Sequence, residues 1–359
     1  MTQLLFRDFT SNTHKALQEL LDLPIGVIEE AVNAARAEEG YHRYELPKGD
    51  GRVRVIHAPC EVLKSAQRAV LDRILNQISV TPFAHGFAPN RSIITNALVH
   101  APSARSVLNV DLKDAFPSVT EHRAGDIIQW RIGSLLKLHT SYLNATERAS
   151  VCQVITQLCT RDNALPQGAP TSGYLLNLAC ARLDRQLYGV ALRSGLPQVK
   201  YTRYADDLTI TSSSREQIPP ELIERVRRAV MTSGFRVNPR KLHTHTDTQR
   251  AIVICGVRIA NGALALPKET LRRYRAQLIS VARTHPSELS SEIKQETLGI
   301  LSFLRSIYPA PPNLLIKPLN ALLDMHQDVV GGNPWLFAPR VQPITRYAHF
   351  TYQQGQSPQ

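Results

Sequence analysis

The stretch "KYTRYADDLTITSSS", residues 200–214, sets two aspartates side by side in a run that otherwise has the composition of a β-strand. Aspartate is disfavoured in strands, and neighbouring carboxylates repel each other. The residues on both sides predict strands, so Ala205, Asp206 and Asp207 are expected to form the tight turn between them. Aspartate is common in turns, and a purely structural turn is one interpretation. The alternative is that the turn presents two carboxylates at an exposed tip for chemistry.

The composition narrows the class of protein. The chain has 359 residues, of which 43% are hydrophobic, as in a globular protein long enough for two or three packed subdomains. No apolar run approaches the roughly 20 residues that a bilayer span needs, so no membrane partner is expected. The N-terminus lacks the pattern of a secretory signal, and the five scattered cysteines favour a reduced, cytoplasmic protein.

The charge is strongly positive. The formal net charge is +12, and residues 101–260 alone carry 21 basic and 13 acidic side chains. A polyanionic partner would account for this excess, although a basic surface that serves solubility is the simpler alternative. The excess lies in the same part of the chain as the aspartate pair.

A third acidic residue could join the pair. The segment "RSVLNVDLKDAF" predicts a buried strand, and Asp111 lies near its end. Clustered carboxylate oxygens suit hard cations such as Mg²⁺, which keep room for water and phosphate. Phosphoryl transfer by two metal ions needs such a cluster, with ions about 3.5–4 Å apart. The repulsion of the paired aspartates is tolerable if two Mg²⁺ ions, or Mn²⁺ in their place, fill the site.

The surrounding motifs carry a resemblance to a known family. "VDLKDAF", "LPQGAPTSGYLLNL", "YADD", "GFRVNPRKLHTHT" and "VICGVRIANG" occur in the order of the conserved blocks of reverse transcriptases. The resemblance covers about residues 41–280 and is closest to the bacterial retron type. It implies an α+β, right-hand polymerase fold with fingers, a palm built on an antiparallel sheet, and a helical thumb. The chain length leaves no room for a ribonuclease H domain, and none is expected.

The resemblance also implies a domain layout. Residues 1–100 would form N-terminal helices and fingers, and residues 101–260 the palm, with a fingers insertion at about 120–165. Residues 261–328 would form the thumb and residues 329–359 a C-terminal extension. The extension holds five aromatic residues, so it is expected to pack against the thumb or to dock RNA or protein.

In this resemblance Asp111 and Asp206 correspond to the catalytic metal ligands, and Asp207 to a weaker or transient third ligand. Ala115 and Phe116 fall where the family contacts the incoming nucleotide. A ring at position 116 would clash with a 2′-hydroxyl, so the expected substrates are deoxynucleoside triphosphates. A core aromatic is the alternative for Phe116.

Four further residues match nucleotide or catalytic positions of the family. Lys48 and Arg54, on a hairpin predicted at residues 41–59, match triphosphate contacts, although Lys48 could equally be a solvated lysine. Gln167 corresponds to a glutamine that packs against the nucleotide, and it could instead only brace its loop. Lys241 resembles the lysine that protonates the departing pyrophosphate, with an ordinary surface lysine as the alternative.

Two sets of residues are candidates for nucleic-acid binding. Lys268, Arg272 and Arg275 share one face of a predicted thumb helix, where they could follow a duplex backbone or form a solvated charged face. Asn96 and His100, in "NALVH", match a retron-type Asn-Ala-x-x-His string. A second retron mark, Val-Thr-Gly, is replaced here by Ile-Cys-Gly at residues 254–256, which weakens the subtype assignment.

The retron type implies a specific product and partners. Such an enzyme copies a structured non-coding RNA from a guanosine 2′-hydroxyl of that RNA, gives a branched RNA–DNA hybrid known as msDNA, and is associated with phage defence through a possible effector protein. Two other functions stay open. One is a different stand-alone bacterial reverse transcriptase of a defence system, and the other is a non-catalytic RNA-binding scaffold with a polymerase fold.

Overall fold

The computed structural model describes residues 9–47, 51 and 53–325, apart from the side chains of residues 134, 135 and 137–139. Its helices are α1 (Ser11–Leu21), α2 (Ile25–Arg36), α3 (Glu61–Arg73), α4 (Ile93–His100), α5 (Glu121–His139), α6 (Ala145–Cys159), α7 (Ser172–Ala179), α8 (Ala181–Leu192), α9 (Pro220–Thr232), α10 (Lys268–Arg283), α11 (Ser291–Ile307) and α12 (Asn313–Met325). Its strands are β1 (Tyr41–Pro47), β2 (Val53–Pro59), β3 (Ser106–Lys113), β4 (Lys200–Tyr204), β5 (Asp207–Ser212), β6 (Arg236–Val237), β7 (His243–Thr246), β8 (Val253–Ile254), β9 (Val257–Ala260) and β10 (Ala263–Ala265). The chain divides into two compact units after Ala263.

An antiparallel sheet forms the centre of the first unit. Its order is β4-β5-β3-β6, and β7 pairs with the first half of β3 on the same side as β6. Most β3 side chains are buried, which explains why "SVLNVDL" reads as a nearly continuous apolar run. Because β6 and β7 cover different halves of β3, the chain between them lies beside the middle of that strand.

The helices of the first unit pack into one hydrophobic core with this sheet. All eight residues of α7 are buried, so this helix crosses the interior. The apolar spacing predicts a single helix through Leu187, but α7 ends at Ala179 and α8 begins at Ala181. The Cys180 N–H still bonds to the Leu176 carbonyl, so the interruption is local.

The predicted first hairpin is present as β1 and β2, paired from Tyr41–Pro59 to Pro47–Val53. Lys48 and the rest of the turn at 48–50 lie outside the described residues, as does the C-terminal extension at 329–359. None of the helices in the described ranges is both long and apolar enough to cross a bilayer.

The second unit contains α10, α11 and α12, and α10 packs against both other helices. Leu278 and Ala282 are buried on α10, and Tyr274 meets Phe303 of α11 edge to face, with ring centroids 6.3 Å apart. The three residues predicted to contact the nucleic-acid backbone are all exposed: Lys268, Arg272 and Arg275.

Candidate active site

The aspartate pair lies in a two-residue turn between β4 and β5. Tyr204 pairs with Asp207, so only Ala205 and Asp206 lie outside the ladder, and Asp207 is the first residue of β5. On the other side of β5, Asp207 is the register partner of Asp111 in β3. The Asp206 carbonyl also accepts a hydrogen bond of 2.9 Å from the Leu112 N–H. The structure therefore brings the three predicted aspartates together at one end of the sheet.

Two side chains hold the Asp111 carboxylate. Asn238 Nδ2 donates to Oδ2 at 2.9 Å, and Lys241 Nζ donates to Oδ1 at 2.6 Å. The Asn238 N–H also bonds to the Asp111 carbonyl at 2.8 Å. Lys241 closes a short 3₁₀ turn, Pro239–Lys241, which lies between β6 and β7 and thus beside the middle of β3. Asn238 lies in a motif recognised in the sequence, but no signal there assigned it this contact.

The cluster carries more negative than positive charge. Desolvation raises the pKa of Asp206, and the charge of Asp111 adds to the effect. Asp207 reaches solvent, yet desolvation by the surrounding protein, together with Asp206 and Asp111, raises its pKa to about 6. The hydrogen bond to Asp111 raises the pKa of Lys241, which stays protonated. The single ammonium group of Lys241 therefore faces three carboxyl groups and does not neutralise them.

The residues present fit a divalent cation by their chemistry. Hard cations bind carboxylate oxygens, and a cation here would offset both the desolvation and the mutual repulsion of the Asp206 and Asp207 carboxylates. As they are placed, the described residues contain no group of three His, Cys, Asp or Glu side chains already arranged around a metal position. Lys241 instead serves as the counter-ion of Asp111.

A buried ion pair supports the Ala205–Asp206 turn from the protein interior. Arg203 and Asp184 are both 0% exposed, and they bond through Nε–Oδ1 at 2.8 Å and Nη2–Oδ2 at 2.9 Å. The remaining nitrogen, Nη1, donates to the Ala205 carbonyl at 3.0 Å and to Asn177 Oδ1 at 2.9 Å. The Tyr201 hydroxyl donates to Asp184 Oδ1 at 2.8 Å. The turn that bears Asp206 is thus tied to helices α7 and α8.

This tie holds a strained residue. Ala205 has φ 55°, in the left-handed region that costs a residue with a Cβ roughly 1–2 kcal/mol. Gly86 lies directly against it: a Cβ at position 86 would stand 2.7 Å from the Ala205 nitrogen. The Gly86 carbonyl accepts a hydrogen bond of 2.8 Å from Asn177 Nδ2. The backbone at Gly86 and the Arg203 side chain therefore confine the turn from two directions.

For the polymerase activity that the sequence motifs imply, we expect Gly86→Ala to reduce primer extension by at least about tenfold, because the new methyl group must push the Ala205 backbone away and displace the neighbouring carboxylate. Steady-state rates of DNA synthesis would measure the loss. Gly26→Ala in α2, where a Cβ meets nothing within 4 Å, is the matched control and should retain the wild-type rate. Wild-type activity in Gly86→Ala would contradict the close contact.

Four of the predicted nucleotide residues lie within the described part of the chain. Ala115 is buried and Phe116 half-buried in the loop after β3, and Phe116 packs against the main core. Gln167 is half-buried, and its backbone carbonyl accepts a hydrogen bond of 2.7 Å from the backbone N–H of His57 in β2. Arg54, on β2, is exposed, and its charge acts on Asp206. The hairpin and the Pro/Gly loop are thus joined next to the aspartates.

Asn96 and His100 occupy the interior, so the expectation that they contact nucleic acid directly is inconsistent with the structure. Both side chains are 0% exposed. The His100 ring nitrogens lie 2.7 Å from the Thr211 and Thr202 hydroxyls of β5 and β4. Asn96 Nδ2 donates to Cys255 Sγ at 3.3 Å, so α4 holds the β8–β9 turn. The string has a structural role because its polar groups serve internal bonds.

Burial of His100 makes stability depend on pH. Desolvation, followed by the charges of His85 and Lys200, lowers the His100 pKa from 6.5 to about 3. Below pH 6.5 the unfolded chain binds a proton that the folded chain does not, so the free energy of unfolding falls as the pH falls. We expect urea unfolding to show the wild type losing about 1 kcal/mol more than His100→Gln between pH 7 and pH 5.5. Equal losses would contradict a neutral buried His100.

Comparison with known proteins agrees with the family resemblance of the sequence motifs. Residues 46–274 match the family described as "Reverse transcriptase (RNA-dependent DNA polymerase)". The retron Mx162 reverse transcriptase of Myxococcus xanthus is 34% identical over 301 residues, covering 79% of this chain and 61% of that protein. The retron Mx65 enzyme of the same species is 36% identical over 288 residues (77% and 64%). The retron Ec86 reverse transcriptase of Escherichia coli is 31% identical over 301 residues (83% and 85%). The chain thus spans under two thirds of the two Myxococcus relatives.

Proposed function

Because the chain belongs to the reverse transcriptase family and is of the retron type, we propose that it synthesises DNA from deoxynucleoside triphosphates on a structured non-coding RNA. The observation that carries this proposal is the register of β3 against β5, which puts Asp111 beside Asp207 and the Asp206 backbone. A non-catalytic scaffold would have no use for three mutually repelling carboxylates in this position.

The proposed reaction is phosphoryl transfer. The terminal hydroxyl of the primer loses its proton to a water molecule and attacks the α-phosphorus of the nucleotide. A new P–O bond forms, and the bond to pyrophosphate breaks. Lys241 lies within the carboxylate cluster and would donate a proton to the departing pyrophosphate after releasing Asp111. Arg54 would contribute fixed positive charge to the triphosphate.

Asp111, Asp206 and Asp207 would hold the divalent cations, Mg²⁺ or Mn²⁺. When bound, two such ions lower the pKa of the attacking hydroxyl and neutralise charge on the leaving group. Asn238 fixes the orientation of Asp111, because both its backbone and its side chain bond to that residue. The ring of Phe116 would exclude nucleotides that carry a 2′-hydroxyl.

The nucleic acid would lie along exposed positive charge. Lys268, Arg272 and Arg275 are exposed on one helix face, which suits contact with phosphates without reading of sequence. All five cysteines are free thiols, which supports action in the cytoplasm. The RNA–DNA product is expected to stay bound.

We further propose that synthesis starts from a guanosine 2′-hydroxyl of the RNA, yields branched msDNA and serves phage defence, with an effector protein as partner. The test is to purify the protein from cells that also carry the flanking genomic DNA, and to sequence the bound nucleic acid with and without debranching enzyme. We expect DNA joined to RNA through a 2′,5′ bond, absent when Asp206 and Asp207 are both changed to Asn.

Unbranched DNA in this experiment would contradict the proposed priming and favour the function of a different stand-alone reverse transcriptase. Bound RNA without any DNA would favour a scaffold. Loss of protection against phage in the Asn double variant would support the defence role, and unchanged protection would contradict it.

A further inference from the structure

Phe87 is an exposed aromatic residue in an unfavourable backbone conformation. Its side chain is 53% exposed, although Phe usually belongs to the core. Its φ is 54°, in the left-handed region, where a bulky residue is an outlier. Such strain persists where the surrounding structure imposes it, and it is concentrated at functional sites. The fold therefore holds this ring in place at a cost.

The Phe87 ring rests on a glycine. Gly173 is the second residue of α7, directly after the Pro/Gly loop that contains Gln167. A Cβ at position 173 would lie 2.3 Å from Cγ of the Phe87 ring. Glycine is thus needed here for the ring to occupy its position, although it is a poor residue within a helix.

The same ring contacts the residue proposed to select the sugar. Phe87 and Phe116 meet edge to face, with centroids 6.2 Å apart and an angle of 77°. This is a favourable arrangement for two aromatic rings. The residue before Phe87, Gly86, lies against Ala205 of the aspartate turn. The loop that carries Phe87 therefore contacts the Ala205–Asp206 turn, the start of α7 and Phe116.

We infer that Phe87 is a positioning residue for Phe116, and that it thereby helps the polymerase to reject ribonucleotides. This inference rests on the proposed function. The core holds Phe116 on one side, and the Phe87 ring holds it on another, so the Phe116 ring cannot turn away from a 2′-hydroxyl. Without Phe87, Phe116 would gain freedom, and a ribonucleotide would enter more easily.

The test compares the specificity constants, kcat/KM, for a deoxynucleotide and the matching ribonucleotide on one primer and template. We expect Phe87→Ala to lower the ratio of the two constants about three- to tenfold, the size of effect that one aromatic pair accounts for. Phe87→Tyr keeps the ring and should retain the wild-type ratio. Gly173→Ala should displace the ring and reproduce the defect of Phe87→Ala.

Two controls separate the possible outcomes. Gly133→Ala in α5, with open space at the Cβ, should leave the ratio unchanged. Phe116→Ala should lower the ratio further than Phe87→Ala does. If Phe116→Ala lowers it and Phe87→Ala does not, the inference is overturned while the proposed function stands. If Phe116→Ala leaves it unchanged, Phe116 does not select the sugar and the inference is overturned, although DNA synthesis stands. If the wild type extends no primer, the proposed function is wrong and the inference falls with it.

A purely structural Phe87 would give a different pattern. In that case Phe87→Ala would lower the unfolding temperature, and it would lower the rate of synthesis by the same factor with both nucleotides. The ratio of the two specificity constants would then not change. Thermal unfolding of each variant, recorded beside the kinetics, makes this distinction. A constant ratio with reduced stability would overturn the positioning role.

Discussion

Changing Asp206 and Asp207 together to Asn is expected to abolish DNA synthesis, with a loss on the order of a thousandfold or more, and to leave the fold as stable as before or more so. The loss follows because amide groups cannot supply the negative charge that holds divalent cations. A thousandfold corresponds to about 4 kcal/mol of transition-state stabilisation. Retained stability is expected because the substitution removes two carboxylates whose pKa is raised by desolvation first and by the neighbouring carboxylates in addition.

Primer extension and thermal unfolding measure the two parts of this prediction. RNA binding should be preserved, since the exposed basic residues are untouched. Asp162→Asn, an exposed residue in the left-handed region that Asn tolerates, is the matched control and should keep full activity. Primer extension by the double variant would show that the carboxylates are not the metal ligands. A large loss of stability would show that they are structural.

Breaking the buried pair is expected to have the largest effect on stability. Arg203→Met leaves the buried Asp184 carboxylate without its counter-ion, and such an unpaired buried charge costs about 3–5 kcal/mol. The same change removes the donor to the Ala205 carbonyl. We therefore expect both a lower urea midpoint and lost activity, measured by equilibrium unfolding and by primer extension at a temperature where the variant is folded.

Two further variants separate the contribution of the Arg203 charge from that of its geometry and from that of an exposed ion pair. Arg203→Lys keeps the charge but lacks the planar group that reaches Asp184 and Ala205 together, so we expect it to recover part of the stability and little of the activity. Lys64→Met breaks an exposed pair with Glu61 and should change the midpoint little. If Arg203→Met were as stable as Lys64→Met, the buried pair would not support the turn.

The sequence predicted the centre of the site because its signals are local. Acidic residues interrupt strands at Asp111 and at Asp206, and the order of the motifs implies that they converge. The family match confirms the predicted α+β polymerase fold. The turn is shorter than predicted, because Asp207 belongs to β5 and pairs with Tyr204.

The supporting contacts could not be predicted in the same way. Asp184 lies between Leu183 and Leu187 on a buried helix face, which signals a buried charge and the need for a partner. The partner, Arg203, is fixed by how α8 crosses the sheet, and sequence spacing does not reveal this. The polar string at Asn96 and His100 matches a retron-type motif and predicts nucleic-acid binding, yet its side chains form hydrogen bonds within the protein.

Helix α5 is a second feature that the sequence alone predicts only weakly. Ala124, Ile128, Ile132 and Leu136 are spaced four apart and buried. Gly125 and Gly133 also lie in this segment, and glycine lowers the helix propensity. The periodicity alone is therefore a weak signal for a helix. Packing against α6 compensates for the low helix propensity.

The pairing of β3 with β5 has a consequence for how the gene can change in length. Side chains alternate between the two faces of a strand, so one codon gained or lost between β4 and β5 would move the carboxylates to the opposite face or out of register. The link between α10 and α11, at residues 284–290, is bound by no such alternation. Insertions and deletions in descendants of this gene should therefore accumulate there and be purged from the Ala205–Asp206 turn.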